Sequence, residues 1–156
     1  MTDDLERLLT TQAPTPERPL LGLTVLVVED SRFASEAMRL LCLRSGARIR
    51  RADSLTSARK HLRVYRPNVV IADLGLPDGS GAELISELSH ARPRVDVVLG
   101  MSGDSGTEPL SIAAGADGFI EKPISSLGAF QERVLSCLPD GVRPDGLHAV
   151  GDGMIN

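Results

Sequence analysis

Four apolar, strand-like runs in this chain each lead straight into polar groups. Leu23 to Val28 runs into Glu29 and Asp30, Asn68 to Ala72 into Asp73, Val95 to Met101 into Ser102, and the shorter Gly118 to Glu121 into Lys122 and Pro123. The β-branched run in Asn68 to Ala72 has the pattern of a strand buried on both faces. Parallel sheets bury strands in this way, and they gather functional groups at the carboxyl ends of their strands. A fifth, weaker alternating strand is expected at Ala47 to Ala52.

Helical patterns fill the gaps between these runs. Arg32 to Arg44 repeats Phe33, Ala37, Leu40 and Leu41 at helical spacing and stops at Gly46. Ser54 to Tyr65 is ended by Pro67, and an S-x-x-E capping box, Ser80 and Glu83, opens a helix to about His90. Thr107 to Ala114 closes at Gly115, and Ser126 to Leu138 carries an apolar face of Leu127, Phe130, Val134 and Leu138. Five strands alternating with five helices predict an α/β fold, a doubly wound five-stranded parallel sheet covered on both faces by right-handed crossovers.

The chain of 156 residues accommodates one such domain, expected over residues 21–138. Residues 1–20 are an N-terminal extension: Thr2 to Thr11 sets Leu5, Leu8 and Leu9 on one side of a helix too short to stand alone, and Pro14, Pro16 and Pro19 mark a linker. Residues 139–156, rich in Gly and Pro, are expected to form a flexible tail. The net charge of −4 argues against a nucleic-acid partner, and the cluster Arg44, Arg48, Arg50 and Arg51 is read as a solvated face. No apolar stretch is long enough to span a membrane, and Asp3, Asp4 and Glu6 have the wrong charge for a signal peptide, so a soluble cytoplasmic protein with no membrane partner is expected. Cys42 and Cys137 are expected as core thiols, and His61, His90 and His148 as surface residues.

On the predicted rim Glu29, Asp30, Asp73, Ser102 and Lys122 converge. Three carboxylates that close repel one another, and Mg2+, a hard cation content with few protein oxygens, relieves the repulsion. An ammonium and a hydroxyl then supply the counter-charge and hydrogen bond that a transferred phosphoryl group requires. Taken singly, Asp30 or Ser31 as a helix cap, Asp73 as a turn acid and Lys122 as a solvated lysine are equally good readings. Gly79 and Gly81 are simplest as turn and helix-entry residues.

The arrangement resembles the receiver domain of bacterial response regulators from about Leu21 to Leu138. The resemblance is carried by Val-Leu-Val-Val-Glu29-Asp30-Ser31, by Asp73-Leu-Gly75-Leu-Pro77-Asp-Gly79-Ser-Gly81, by Met101-Ser102-Gly103, and by Ala114-Gly115 through Phe119 to Lys122-Pro123. It implies the flavodoxin-like (βα)5 fold, with Asp73 as the nucleophile that takes phosphate from a histidine kinase or histidine phosphotransfer protein. It further implies Mg2+ on Asp30, Asp73 and the Gly75 carbonyl with Glu29 acting through water, Ser102 and Lys122 on phosphoryl oxygens, a cis Lys122–Pro123 peptide, and a switch formed by Ser102 and Phe119. Phe119 lacks a hydroxyl to hold an outward rotamer, so the switch is expected to be weak or biased inward. The glycines and proline between Gly103 and Pro109 predict a late-starting, mobile fourth helix.

The expected function is that of a stand-alone phosphoacceptor signalling to an unknown output protein, not an enzyme beyond its own phosphotransfer and autodephosphorylation. Two rivals are a pseudo-receiver that keeps the fold without phosphorylation and an Asp-nucleophile phosphatase of the haloacid dehalogenase type. The second needs an acid where Gly75 stands.

Overall fold

The structure, a computed structural model, describes residues 15–140 and 142. The expected helix at Thr2 to Thr11 and nearly all of the expected tail, with His148, lie outside the described residues. The elements alternate as β1 (Thr24–Val28), α1 (Arg32–Arg44), β2 (Arg48–Ala52), α2 (Leu55–Val64), β3 (Val69–Asp73), α3 (Gly81–His90), β4 (Val97–Ser102), α4 (Glu108–Ala114), β5 (Gly118–Glu121) and α5 (Leu127–Cys137). All five strands pair in parallel in the order β2-β1-β3-β4-β5. The doubly wound sheet expected from the alternation is therefore present. A two-residue antiparallel ladder, Gly75–Leu76 with Gly79–Ser80, follows β3 and was not foreseen.

Local chemistry sets the helix starts. Ser31, Ser54, Ser80 and Ser126 each precede a helix, and their hydroxyls accept from the N–H of Ala34, Ser57, Ala82 and Ala129 at 3.0–3.3 Å, satisfying donors the first turn leaves open. The capping box itself is not formed: Ser80 caps Ala82 rather than Glu83, and Glu83 lies 3.7 Å from Arg59. The fourth helix starts late, as the glycines and proline require. A 3-10 turn at Ser105–Thr107 comes first, Thr107 supplies no side-chain cap, and only seven residues of α4 remain.

The core lies in two layers, one on each face of the sheet. Leu26, Val28, Val70, Ala72 and Val98 face Leu55, Leu84, Ile85, Leu88 and Phe119, while Val25, Val27, Ile71, Leu99 and Met101 face Met38, Cys42, Phe130 and Val134. All five residues of β3 are buried, as its unbroken apolar run demands. Leu20, left in the extension by the sequence reading, is fully buried, and its N–H donates to Ser45 O at 2.9 Å.

The buried stripe of α1 is not the apolar repeat that marks the helix in the sequence. Ser35, Met38, Cys42 and the following Ser45 are buried, whereas Phe33 is 87% exposed and Leu40 43%. Small side chains at this spacing bring the helix close to the sheet, and Phe33, Ala37 and Leu40 are turned away from it. The arginines at 44, 48, 50 and 51 are all exposed. Arg50 stacks on Tyr65, 4.1 Å from the ring centroid. Cys42 is buried and Cys137 half-buried; His90 is exposed and His61 half-buried against Tyr65. Among the described residues, no helix is long and apolar enough to cross a membrane.

Candidate phosphotransfer site

Strand ends deliver the site. β1 hands on to Glu29 and Asp30, β3 ends on Asp73, β4 on Ser102, and β5 hands on to Lys122. Parallel register aligns these ends: Asp73 pairs with Met101, Ser102 pairs with Glu121, and the Lys122 N–H donates to Ser102 O at 2.8 Å. The five groups therefore reach one rim from four adjacent strands.

Lys122 Nζ lies 2.7 Å from Glu29 Oε1 and 3.0 Å from Asp73 Oδ1. Glu29 is 2% exposed and Asp73 6%, and a buried carboxylate needs such a partner. Their second oxygens are also engaged. The Ser31 N–H donates to Glu29 Oε2 at 3.0 Å, and the Gly75 N–H to Asp73 Oδ2 at 3.3 Å. Burial would depress the Lys122 pKa, but the hydrogen bonds and charges of Glu29 and Asp73 outweigh it and raise the value above the ordinary 10.5.

Asp30 is exposed and stands at the mouth of the cluster. One carboxylate oxygen from each of Glu29, Asp30 and Asp73 falls within 4.8 Å of the others. Their three formal negative charges against the single ammonium of Lys122 leave a deficit of about two positive charges, which fits a hard divalent cation. Oxygen-only donors suit Mg2+ better than a softer metal.

Ser102 is half-buried, and its hydroxyl accepts from the Asp104 N–H at 3.0 Å. With a lone pair so used, its proton is free to be donated at the rim. Gly75 opens the small ladder, and a Cβ there would sit 3.8 Å from Asp73 Oδ2, in ordinary contact. Phe119 is buried at 6% exposure and packs into the same layer as Leu84 and Ile85; it pairs with Gly100 across β4 and β5. The Lys122–Pro123 peptide is cis.

Several supporting residues escaped the sequence reading. Asp78, in the turn of the ladder, caps α2 from outside: its carboxylate accepts from Leu55 N at 2.8 Å, Thr56 N at 3.0 Å and Thr56 Oγ1 at 2.9 Å. Those backbone bonds hold its pKa below the ordinary carboxylate value. The Pro-Asp-Gly sequence signals the turn but not the helix it clamps. Gly81 is needed for close approach as well as helix entry, since a Cβ there would stand 2.1 Å from Asp73 O. Gly100 likewise leaves room for the buried Ser111 hydroxyl, which would lie 2.0 Å from a Cβ at that position.

A doubly wound (βα)5 domain with an acid cluster and a lysine at the carboxyl rim defines the class of flavodoxin-like signalling receivers. Residues 25–134 match the model of the response regulator receiver domain, and the chain belongs to that family. It is 31% identical over 110 residues to the KDP operon transcriptional regulatory protein KdpE of Escherichia coli, covering 70% of this chain and 48% of that protein. The chain thus spans about half the length of that curated relative. Among solved structures it resembles a CheY-like receiver domain from Methylobacillus flagellatus, with a TM-score of 0.66, 25% identity and coverage of 74% of this chain and 98% of that one. The chemotaxis response regulator CheY4 of Vibrio cholerae shares the fold, with a TM-score of 0.67, 19% identity and coverage of 74% and 98% respectively.

Proposed function

We propose that this chain is a cytoplasmic phosphoacceptor of a two-component phosphorelay, taking phosphate onto Asp73 from a histidine kinase or histidine phosphotransfer protein. The observation that carries the reading is the Lys122 ammonium held between Glu29 and Asp73, with the Asp30 carboxylate completing a cluster within 4.8 Å. In the transfer, an Asp73 carboxylate oxygen forms the new P–O bond as the P–N bond of the phosphohistidine breaks, and the imidazole leaves with the electron pair. Lys122 needs no recruitment, because it already contacts Asp73 and can follow the charge onto a phosphoryl oxygen. The free proton of Ser102 is directed to a second phosphoryl oxygen.

Asp30 and Asp73, with the Gly75 carbonyl and Glu29 through water, are the residues that would hold Mg2+. When bound, the ion supplies the positive charge the carboxylates lack and draws the phosphoryl oxygens in. Phe119 is buried, which is in keeping with a switch biased inward; Ser102 and Phe119 then report phosphorylation through small shifts of α4 and β5. The signal leaves by protein–protein contact to an output protein, without nucleic-acid or membrane binding, and the only turnover is autodephosphorylation.

Incubation with Mg2+ and acetyl phosphate, followed by intact-mass spectrometry, tests the reading. A phosphorylated species that disappears in Asp73→Asn is expected. No modification under any donor would make the chain a pseudo-receiver, and turnover of phosphoesters would make it a phosphatase.

A further inference from the structure

The hairpin from Gly75 to Ser80 is anchored at its two ends to different parts of the domain. Gly75 pairs with Ser80 and Leu76 with Gly79, which leaves Pro77 and Asp78 as the corners of the turn, and proline suits the first of them. The base of the hairpin belongs to the acid cluster. There the Gly75 N–H donates to Asp73 Oδ2 at 3.3 Å, the Gly81 N–H donates to Leu74 O at 3.2 Å, and a Cβ on Gly81 would stand 2.1 Å from Asp73 O.

The tip belongs to α2. The Asp78 carboxylate accepts from the Leu55 and Thr56 N–H groups and from the Thr56 hydroxyl, and a second contact backs these bonds. Gly79 has a φ of +149°, and a Cβ there would meet Leu55 Cδ1 at 2.7 Å. Leu55 is itself buried in one core layer with Leu74 and Leu76. Yet α2 already has a cap from its own chain, because the Ser54 hydroxyl accepts from the Ser57 N–H at 3.0 Å. What Asp78 adds is a fixed relation between the start of α2 and the hairpin that carries Gly75.

We propose that Asp78 is a positioning residue for the cation site: it holds the hairpin, and with it the Gly75 carbonyl, where Mg2+ binding needs it, and thereby couples that site to the start of α2. The inference rests on the reading of Glu29, Asp30 and Asp73 as a Mg2+ site. A coupling of this kind is reciprocal. If opening of the Asp78 bonds weakens Mg2+ binding about tenfold, the low end for residues that orient metal ligands, saturating Mg2+ must make that opening about tenfold rarer. The Leu55 and Thr56 amides report the opening directly, since both donate to Asp78.

Hydrogen exchange of the full chain in EDTA and in MgCl2, with calorimetric titration of MgCl2, tests the inference without any phosphate. In the wild type the Leu55 and Thr56 amides are expected to exchange about tenfold slower once Mg2+ saturates the site. Asp78 is exposed, so its replacement leaves no hole in the core. Asp78→Ala should weaken Mg2+ binding about tenfold and abolish the exchange response, and Asp78→Asn, which keeps one acceptor oxygen, should fall between. Ser54→Ala is the control for a merely structural role: it removes the cap of α2 and speeds exchange at Ser57, but should leave Mg2+ affinity within about twofold of the wild type. Equal affinity in Asp78→Ala and the wild type overturns the inference, and so does a loss in Ser54→Ala as large as that in Asp78→Ala. Leu55 and Thr56 amides that ignore Mg2+ in the wild type overturn it as well. A wild type that binds no Mg2+ refutes the cation reading itself and takes the inference with it.

Discussion

Replacing Gly81 with alanine perturbs fold and site together. The new Cβ would stand 2.1 Å from Asp73 O, 2.9 Å from its carbonyl carbon and 3.3 Å from Leu74 Cα. None of these is the movable end of a side chain. A tolerable carbon–oxygen contact is about 3.3 Å, so the start of α3 and the end of β3 must part by roughly 1 Å. Overpacking against rigid surroundings costs about 1–3 kcal/mol, partly offset by the 0.5 kcal/mol or so that alanine gains over glycine in a helix. A net loss of about 1.5 kcal/mol lowers the Tm by roughly 5–8 °C in a domain of this size. The same displacement falls on the peptide that carries Asp73, and a 1 Å error in a reacting group slows chemistry by as much as ~100-fold. Thermal unfolding by circular dichroism and acetyl-phosphate labelling measured by intact mass should thus fall together, labelling by at least tenfold. Gly128→Ala is the control: its Cβ meets nothing within 4 Å, and it should gain about 0.5 kcal/mol. An unaltered Tm and labelling rate in Gly81→Ala would refute the claim that α3 is pressed rigidly against the Asp73 peptide.

Lys122→Met strips the buried Glu29 and Asp73 of their cation; with Lys122 itself 25% exposed, the loss should be about 2 kcal/mol, below the ~3–5 of a fully buried pair, and added Mg2+ should recover more stability than in the wild type. Because the Lys122 pKa is raised in the folded state, its contribution is fully present below pH 10.5 and disappears as pH climbs through the raised value, which a series of urea denaturation curves at alkaline pH will show. Asp30→Asn should raise the Tm in EDTA by removing one of three crowded carboxylates, and shrink the Mg2+-dependent rise in Tm; an undiminished Mg2+ response would remove Asp30 from the cation site. Burial pushes the Cys42 thiol up to about 12, so it should resist alkylation at pH 8 in the native protein while the half-buried Cys137 reacts, and a Cys42 that labels as fast would mean that α1 opens readily.

Residue pattern revealed strand ends more reliably than helix faces. The run Val69–Asp73 announces a buried central strand, and the polar groups following each run fall on one rim because parallel register leaves them nowhere else to go. The strand β2, with three arginines in five residues, was legible only as weak alternation, since an edge strand has one flank in water and tolerates charge. On α1 the apolar repeat of Phe33, Ala37, Leu40 and Leu41 marks a helix without saying which face packs inward. Hydrophobicity alone cannot tell a face packed on the sheet from one lining a groove, and the tight fit to β1 favoured Ser35 and Cys42 over Phe33.

At the site, the residue types were readable and their partners were not. The contact of Lys122 with Glu29 spans 93 positions and follows from tertiary geometry. Asp78 serves a helix 22 and 23 residues upstream, which no local signal encodes. Gly81 reads as a helix-entry residue in the sequence, yet neither it nor Gly100 has a positive φ. They are small because a neighbour occupies the space a Cβ would need.

The clamp formed by Asp78 divides the rim mechanically. The turn that follows β3 is fastened by three bonds to the start of α2, so load placed on Asp73 meets stiff resistance from that direction. Across the sheet, Ser102 feeds into a glycine-bearing 3-10 turn and a helix of seven residues with no side-chain cap. Stress introduced at one point in a body with one stiff and one compliant side deforms the compliant side. The lopsided anchoring therefore gives the domain a direction of yield, away from α2 and into α4, set by the polypeptide itself.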